Sequence, residues 1–133
     1  MAVTATPIFA QALRHSAVAI STANTNRDGT GTIGTVFTAD ATDGSSLDNI
    51  QITATGTTTA GVVRLYKHNG STAFLWKEIL VGAITPSTTV AVFSRRIDCS
   101  LPSNACHLPA GWSLRASTHN AETFNVHAEG WDA

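Results

Sequence analysis

The sequence predicts an all-β protein: an antiparallel β-sandwich of about eight strands, with the jelly roll among its variants, preceded by an extended N-terminal arm. Three observations carry this reading. Apolar and polar residues alternate over short runs, as in Ile50 and Ile52 with Gln51 and Thr53, or Phe124, Val126 and Ala128 with Asn125, His127 and Glu129. A period of two places each apolar set on one buried face. Turn-forming clusters divide the runs: Arg27-Asp28-Gly29, Thr42-Asp43-Gly44, His68-Asn69-Gly70, Thr85-Pro86-Ser87 and Pro109-Ala110-Gly111. The polar surface is built from hydroxyls, with 20 Thr and 11 Ser against two Lys, and such residues suit strands and turns.

In chain order, residues 1–15 form the arm and residues 16–133 a single sandwich domain. Within the arm only residues 9–15 have helical character, too short a run for an isolated helix. Pro7, Ile8, Phe9 and Leu13, followed by Arg14, lie outside the strand pattern. Exposed apolar groups usually mark an interaction site, so Pro7, Ile8, Phe9, Leu13 and Arg14 are the expected interface residues. The segment lacks the basic n-region of a signal peptide, and Thr4, Thr6 and Pro7 interrupt its apolar run. Strands are expected at residues 17–22, 31–39, 50–53, 61–68, 73–81, 89–97, 112–117 and 123–129. Asn69-Gly70 should close a type I′ hairpin between VVRLYK and AFLWKEILV, because both residue types accept positive φ. The low-complexity run at residues 55–61 is a loop within the domain. In the last hairpin Trp112, Leu114 and Ala116 face the core, His119 and Asn120 lie in the turn, and His127 and Glu129 occupy a solvated polar face.

A chain of 133 residues fits one domain with a core of its own. Only 13% of it is charged, with a net charge of −1 and no basic cluster beyond Arg95-Arg96. That excludes nucleic acid as a partner, which needs several phosphate contacts. No run approaches the roughly 18 apolar residues of a membrane span. The five histidines, at positions 15, 68, 107, 119 and 127, lack the spacings that place two metal ligands together. No Gly-x-Ser-x-Gly elbow singles out a serine, and Asp28, Asp40, Asp43 and Asp48 lack the spacing of a calcium loop. The chain is therefore read as non-enzymatic, without metal or cofactor. Cys99 and Cys106 bracket Ser100-Leu-Pro-Ser-Asn-Ala105. They suit either a loop-closing disulfide, contributing about 2 to 3 kcal/mol, or two thiols kept reduced. Trp76, Trp112 and Trp131 are the candidates for a carbohydrate platform, although the phase of Trp112 assigns it to the core.

The segments TANTNRDGTGTIGTVFTA, ITATGTTTAGVVRLYKHNG, AITPSTTVAVF and LPAGWSLRASTHNAETFNVHAEG resemble a group of small proteins encoded among the virion structural genes of tailed bacteriophages. The resemblance spans residues 21–130, and the loop from Cys99 to Cys106 lies outside it. It implies a β-sandwich that decorates the capsid as a cement protein, bound to the major capsid protein on the virion surface after assembly in the host cytoplasm. It also implies a homo-oligomer, with a trimer favoured, because cement proteins commonly occupy capsid three-fold positions. A tail or head-fibre component is the related alternative, and a carbohydrate-binding sandwich the different one.

Overall fold

The period-two runs become nine strands within residues 12–132, the part of the chain that the computed structural model describes. They are β1 (Ala12–Ile20), β2 (Gly34–Thr38), β3 (Ser45–Ala54), β4 (Gly61–His68), β5 (Ala73–Val81), β6 (Ser94–Asp98), β7 (Cys106–Leu108), β8 (Ser113–Thr118) and β9 (Phe124–Asp132). The first sheet has the order β1-β9-β3-β6, with β7 also on β3; the second has the order β2-β8-β4-β5. Every pairing between these strands is antiparallel. With β7 set aside, the first strand pairs with the last, the second with the last but one, and so inward to the β4–β5 hairpin. A long hairpin rolled over on itself in this way has the connectivity of a jelly roll. The expected β-sandwich is the fold.

β6 and β7 lie end to end along one edge of β3, opposite residues 49–53 and 45–47 respectively. They act as one edge strand interrupted by residues 99–105, which loop out through a 3-10 turn at Pro102–Asn104. Proline cannot donate to a strand ladder, and the interruption gives nine strands where eight were expected.

The inward faces meet in a core that includes Phe37, Ile50, Ile52, Val63, Leu65, Leu114, Phe124 and Val126, each at most 1% exposed. Burial of side chains of this size contributes about 1.5 to 3 kcal/mol apiece. At Gly130 a Cβ would run into the backbone of Ser46 and Leu47. Only glycine allows β9 to lie this close to β3, beside the register shift between Leu47 and Asn49.

Three local expectations are corrected. The sandwich starts at Ala12, because residues 12–15 pair with the C-terminal half of β9 out to Asp132. Leu13, Arg14 and His15 therefore belong to the sheet and not to an arm, and residues 12–15 are strand where a helical tendency was read. Backbone pairing along a ready strand edge outweighs a weak local propensity. The β4–β5 hairpin forms as expected, but not through a type I′ turn. Gly70 alone has positive φ, at 100°, while Asn69 Oδ1 accepts the backbone N–H groups of Ser71 and Thr72 at 2.9 and 2.7 Å. An asparagine side chain that caps the turn removes the need for its own backbone to enter the left-handed region.

Candidate functional site

The register gathers the starts of β1, β3, β5 and β8 and the finishes of β2, β4, β7 and β9 at one end of the sandwich. There, on the outer face of the first sheet, Leu13, Trp131, Ser46 and His107 form a cross-strand row. Leu13 is 85% exposed. A depression of about 290 Å³ lies beside it, over Asp48 and Glu129, and another of about 240 Å³ borders Trp131 and His107. The chain enters β1 at this end, beside an exposed leucine and a half-buried tryptophan.

The expected interface residues separate. Pro7, Ile8 and Phe9 lie outside the described residues. Leu13 is free to make contacts, whereas Arg14 turns inward and is used within the chain. Its guanidinium lies 4.3 Å over the Phe37 ring and donates to Asp132 Oδ1 at 2.9 Å, to Ser45 Oγ at 3.3 Å and to the carbonyl of Thr38. Alternation along β1 explains the split: Arg14 shares its phase with buried Ile20, and Leu13 shares its phase with exposed His15 and Ala17.

His15 and His127 stack on the outer face of the first sheet, with Nε2 and Nδ1 3.0 Å apart. One ring must donate and the other accept, so the bond requires at least one neutral imidazole. His127 and Glu129 thus stand on the polar face where the alternation placed them. Among the described residues no three His, Cys, Asp or Glu side chains gather to hold a metal.

The quoted segments of the resemblance find one another in the fold. Arg64, in VVRLYK, is 1% exposed although it points away from the core. Residues 21–33 fold over it. Its Nε donates to Glu78 Oε2 at 2.9 Å, Nη1 to the Asn24 carbonyl at 3.1 Å, and Nη2 to His119 Nδ1 at 3.2 Å. Tyr66 donates its hydroxyl to the Asn26 carbonyl at 2.9 Å, and Arg27 reaches the same Glu78 oxygen at 2.8 Å. These donors, Arg27 foremost, hold the Glu78 carboxyl below its usual range. In the β8–β9 turn, Asn120 Nδ2 donates to Thr59 Oγ1 and the Ala60 carbonyl, and Glu122 Oε2 accepts from Thr59 N and Oγ1. His119 was expected to be solvated; it is half-buried and accepts from an arginine.

Across the finish of β4 and the starts of β5 and β8 lies a groove of about 320 Å³ lined by Lys67, Phe74, Leu75, Trp76 and Trp112. Trp112, expected in the core, is only partly buried and packs against the core from outside. It sits one residue before β8, at the end of the sheet. Its ring runs nearly parallel to that of Phe74, at 20° and 6.0 Å. The ammonium groups of Lys67 and Lys77 stand 4.6 and 5.2 Å from the centroid of Trp76. Trp76 is where β5 shifts register against β4, since Leu65 faces Lys77 and Tyr66 faces Leu75. The extra residue turns both Trp76 and Lys77 toward the gap between the sheets.

Cys99 and Cys106, left open between disulfide and thiols, are free and buried. Cys99 N bonds to the Asp48 carbonyl and Cys106 faces Leu47, so the two flank the excursion at successive positions along β3. Burial pushes the Cys99 thiol up to about 11 and the Cys106 thiol up to about 12. Both are protonated at neutral pH, and a protonated thiol is a poor nucleophile.

Comparison with protein-family models, with curated proteins and with solved structures finds no match to this chain.

Proposed function

We propose that this chain is a non-enzymatic structural protein of a tailed-bacteriophage virion, a cement that binds the major capsid protein on the outer capsid surface. The observation that carries the reading is Leu13, 85% exposed beside Trp131 at the end where the chain enters β1, in sequence continuity with Pro7, Ile8 and Phe9. An exposed leucine beside a half-buried tryptophan, continuous in sequence with an apolar segment, is a surface for assembly. Each large apolar side chain covered there contributes about 1.5 to 3 kcal/mol before the cost of ordering is subtracted. The jelly-roll frame supports the reading in a second way. The segments that resemble phage structural proteins include core residues and also Arg64, Tyr66, Asn120 and Glu122, which hold loops on the sandwich. A trimer follows from the resemblance, as does assembly in the host cytoplasm before the chain joins the capsid surface.

Deletion of residues 2–11 tests the proposal, because it leaves β1 whole. The truncated chain should melt as the full chain does, yet sediment as a smaller species and no longer pellet with capsids. Normal trimerisation and attachment would overturn the assignment of the interface to this end. A tail or head-fibre position uses the same sandwich and is separated by where the chain is found on the particle.

A further inference from the structure

We propose that the groove lined by Lys67, Phe74, Leu75, Trp76 and Trp112 is a binding site for an acidic saccharide. It lies across the finish of β4 and the starts of β5 and β8, in the other sheet from the proposed attachment row though at the same end of the sandwich. The inference does not depend on the cement reading.

Charge is the first argument. The chain has two lysines in all, and both bring their ammonium groups to the Trp76 ring. Among the described residues the salt bridges are made by arginines and neither lysine takes part. Glu78, the carboxylate next in sequence to Lys77, is held on the other side of the sheet by Arg27 and Arg64. The groove is thus positive in a chain whose net charge is −1, and it attracts an anion.

Shape and surface chemistry supply the second argument. Phe74 is 49% exposed and Leu75 is 40% exposed, a large area of apolar surface to leave in water. Phe74 and Trp112 present nearly parallel rings 6.0 Å apart. A pyranose offers a face of C–H groups that packs on an aromatic ring, while its hydroxyls point sideways into solvent. A carboxylate on the same sugar then meets an ammonium fixed beside the ring. An extended acidic peptide satisfies the lysines but leaves the aromatic surface unused. The bulge at Trp76 is what brings the two chemistries together, because it turns Trp76 and Lys77 to the same side of β5. A groove of about 320 Å³ is in the range of small-ligand sites, about 300 to 1,000 Å³.

The test is calorimetry and tryptophan fluorescence of the full chain with a galacturonic acid tetrasaccharide at low salt. Saturable binding with a change in tryptophan emission is expected. The fully methyl-esterified tetrasaccharide should bind at least about tenfold more weakly, which corresponds to about 1.4 kcal/mol. The double variant Lys67→Gln with Lys77→Gln should lose affinity to the same extent. Phe74→Ala, at a half-exposed position, keeps the fold intact and should also weaken binding with melting unchanged. Three results would overturn the proposal: no binding of the uronate, equal binding of the esterified sugar, or equally tight binding of an oligo-glutamate of the same charge, which would make the groove a peptide site.

Discussion

Arg64→Met removes the charge at the centre of the loop clasp while keeping most of the side-chain volume. Arg64 is 1% exposed and makes three hydrogen bonds, to Glu78, to the Asn24 carbonyl and to His119. Taking one partner from a buried ion pair costs about 3 to 5 kcal/mol when the other is left buried and alone. Here Glu78 has a side chain 32% exposed and keeps Arg27, so that penalty shrinks. What remains is the Asn24 carbonyl and His119 Nδ1, each deprived of a charged donor, and such bonds are worth about 1.5 to 3 kcal/mol. Desolvation of the guanidinium, no longer needed, returns part of this. The net loss is about 2 to 4 kcal/mol. Urea unfolding measures the loss, and trypsin locates it: Arg27 lies in the covering loop, and cleavage after it should accelerate once that loop lifts. A stability within about 0.5 kcal/mol of the parent, with unchanged cleavage at Arg27, would refute the reasoning.

Trp112→Ala should cost about 1 to 2 kcal/mol in urea unfolding, below the roughly 3 to 5 of a fully buried aromatic; a loss in that higher range would return Trp112 to the core. His119→Ala should destabilise measurably, because Arg64 Nη2 loses its acceptor, whereas His127→Ala on the exposed face should stay within about 0.5 kcal/mol. Equal effects would contradict the different roles given to the two histidines. Glu78 has a folded-state pKa below its ordinary 4.5, so its contribution is complete above that value and is lost as pH falls through the lowered one. Amide protection in residues 21–33, corrected for the intrinsic exchange rate, should therefore fall in acid, and Glu78→Gln should remove that dependence. With thiols raised to about 11 and about 12, Cys99 and Cys106 should resist an aromatic disulfide reagent at pH 8 and react fully in denaturant; prompt reaction of the folded chain would place them at the surface.

The sandwich was legible because alternation and burial report the same physical fact. The phases of Ile50 and Ile52, and of Phe124, Val126 and Ala128, became buried faces without change. Strand ends were less legible. β1 begins at Ala12 only because β9 offers it an edge, and no local pattern encodes a partner more than a hundred residues away. Arg64 shows a second limit. In VVRLYK it reads as an outward polar residue, which it is, but the loop that buries it lies about forty residues earlier. The Asn-rich sequence of that loop was the available signal, since the Asn24 side chain donates to the Thr30 and Thr32 carbonyls and accepts from Asn26 N, which fixes the loop whose carbonyls Arg64 and Tyr66 reach. The groove escaped notice because it depends on a one-residue register shift at Trp76. Its signal was the composition: two lysines in the whole chain, each near that tryptophan in sequence or across the hairpin.

The most direct test of the central proposal is the position of this chain on purified virions, read from a cryo-electron microscopy map fine enough to resolve strands. The nine-stranded sandwich is expected on the outer capsid surface at three-fold positions, with the Leu13–Trp131 row of the first sheet turned to the major capsid protein. Washed particles that lack the chain, or a capsid contact made by the β5 edge in place of the Leu13 row, would contradict the proposal.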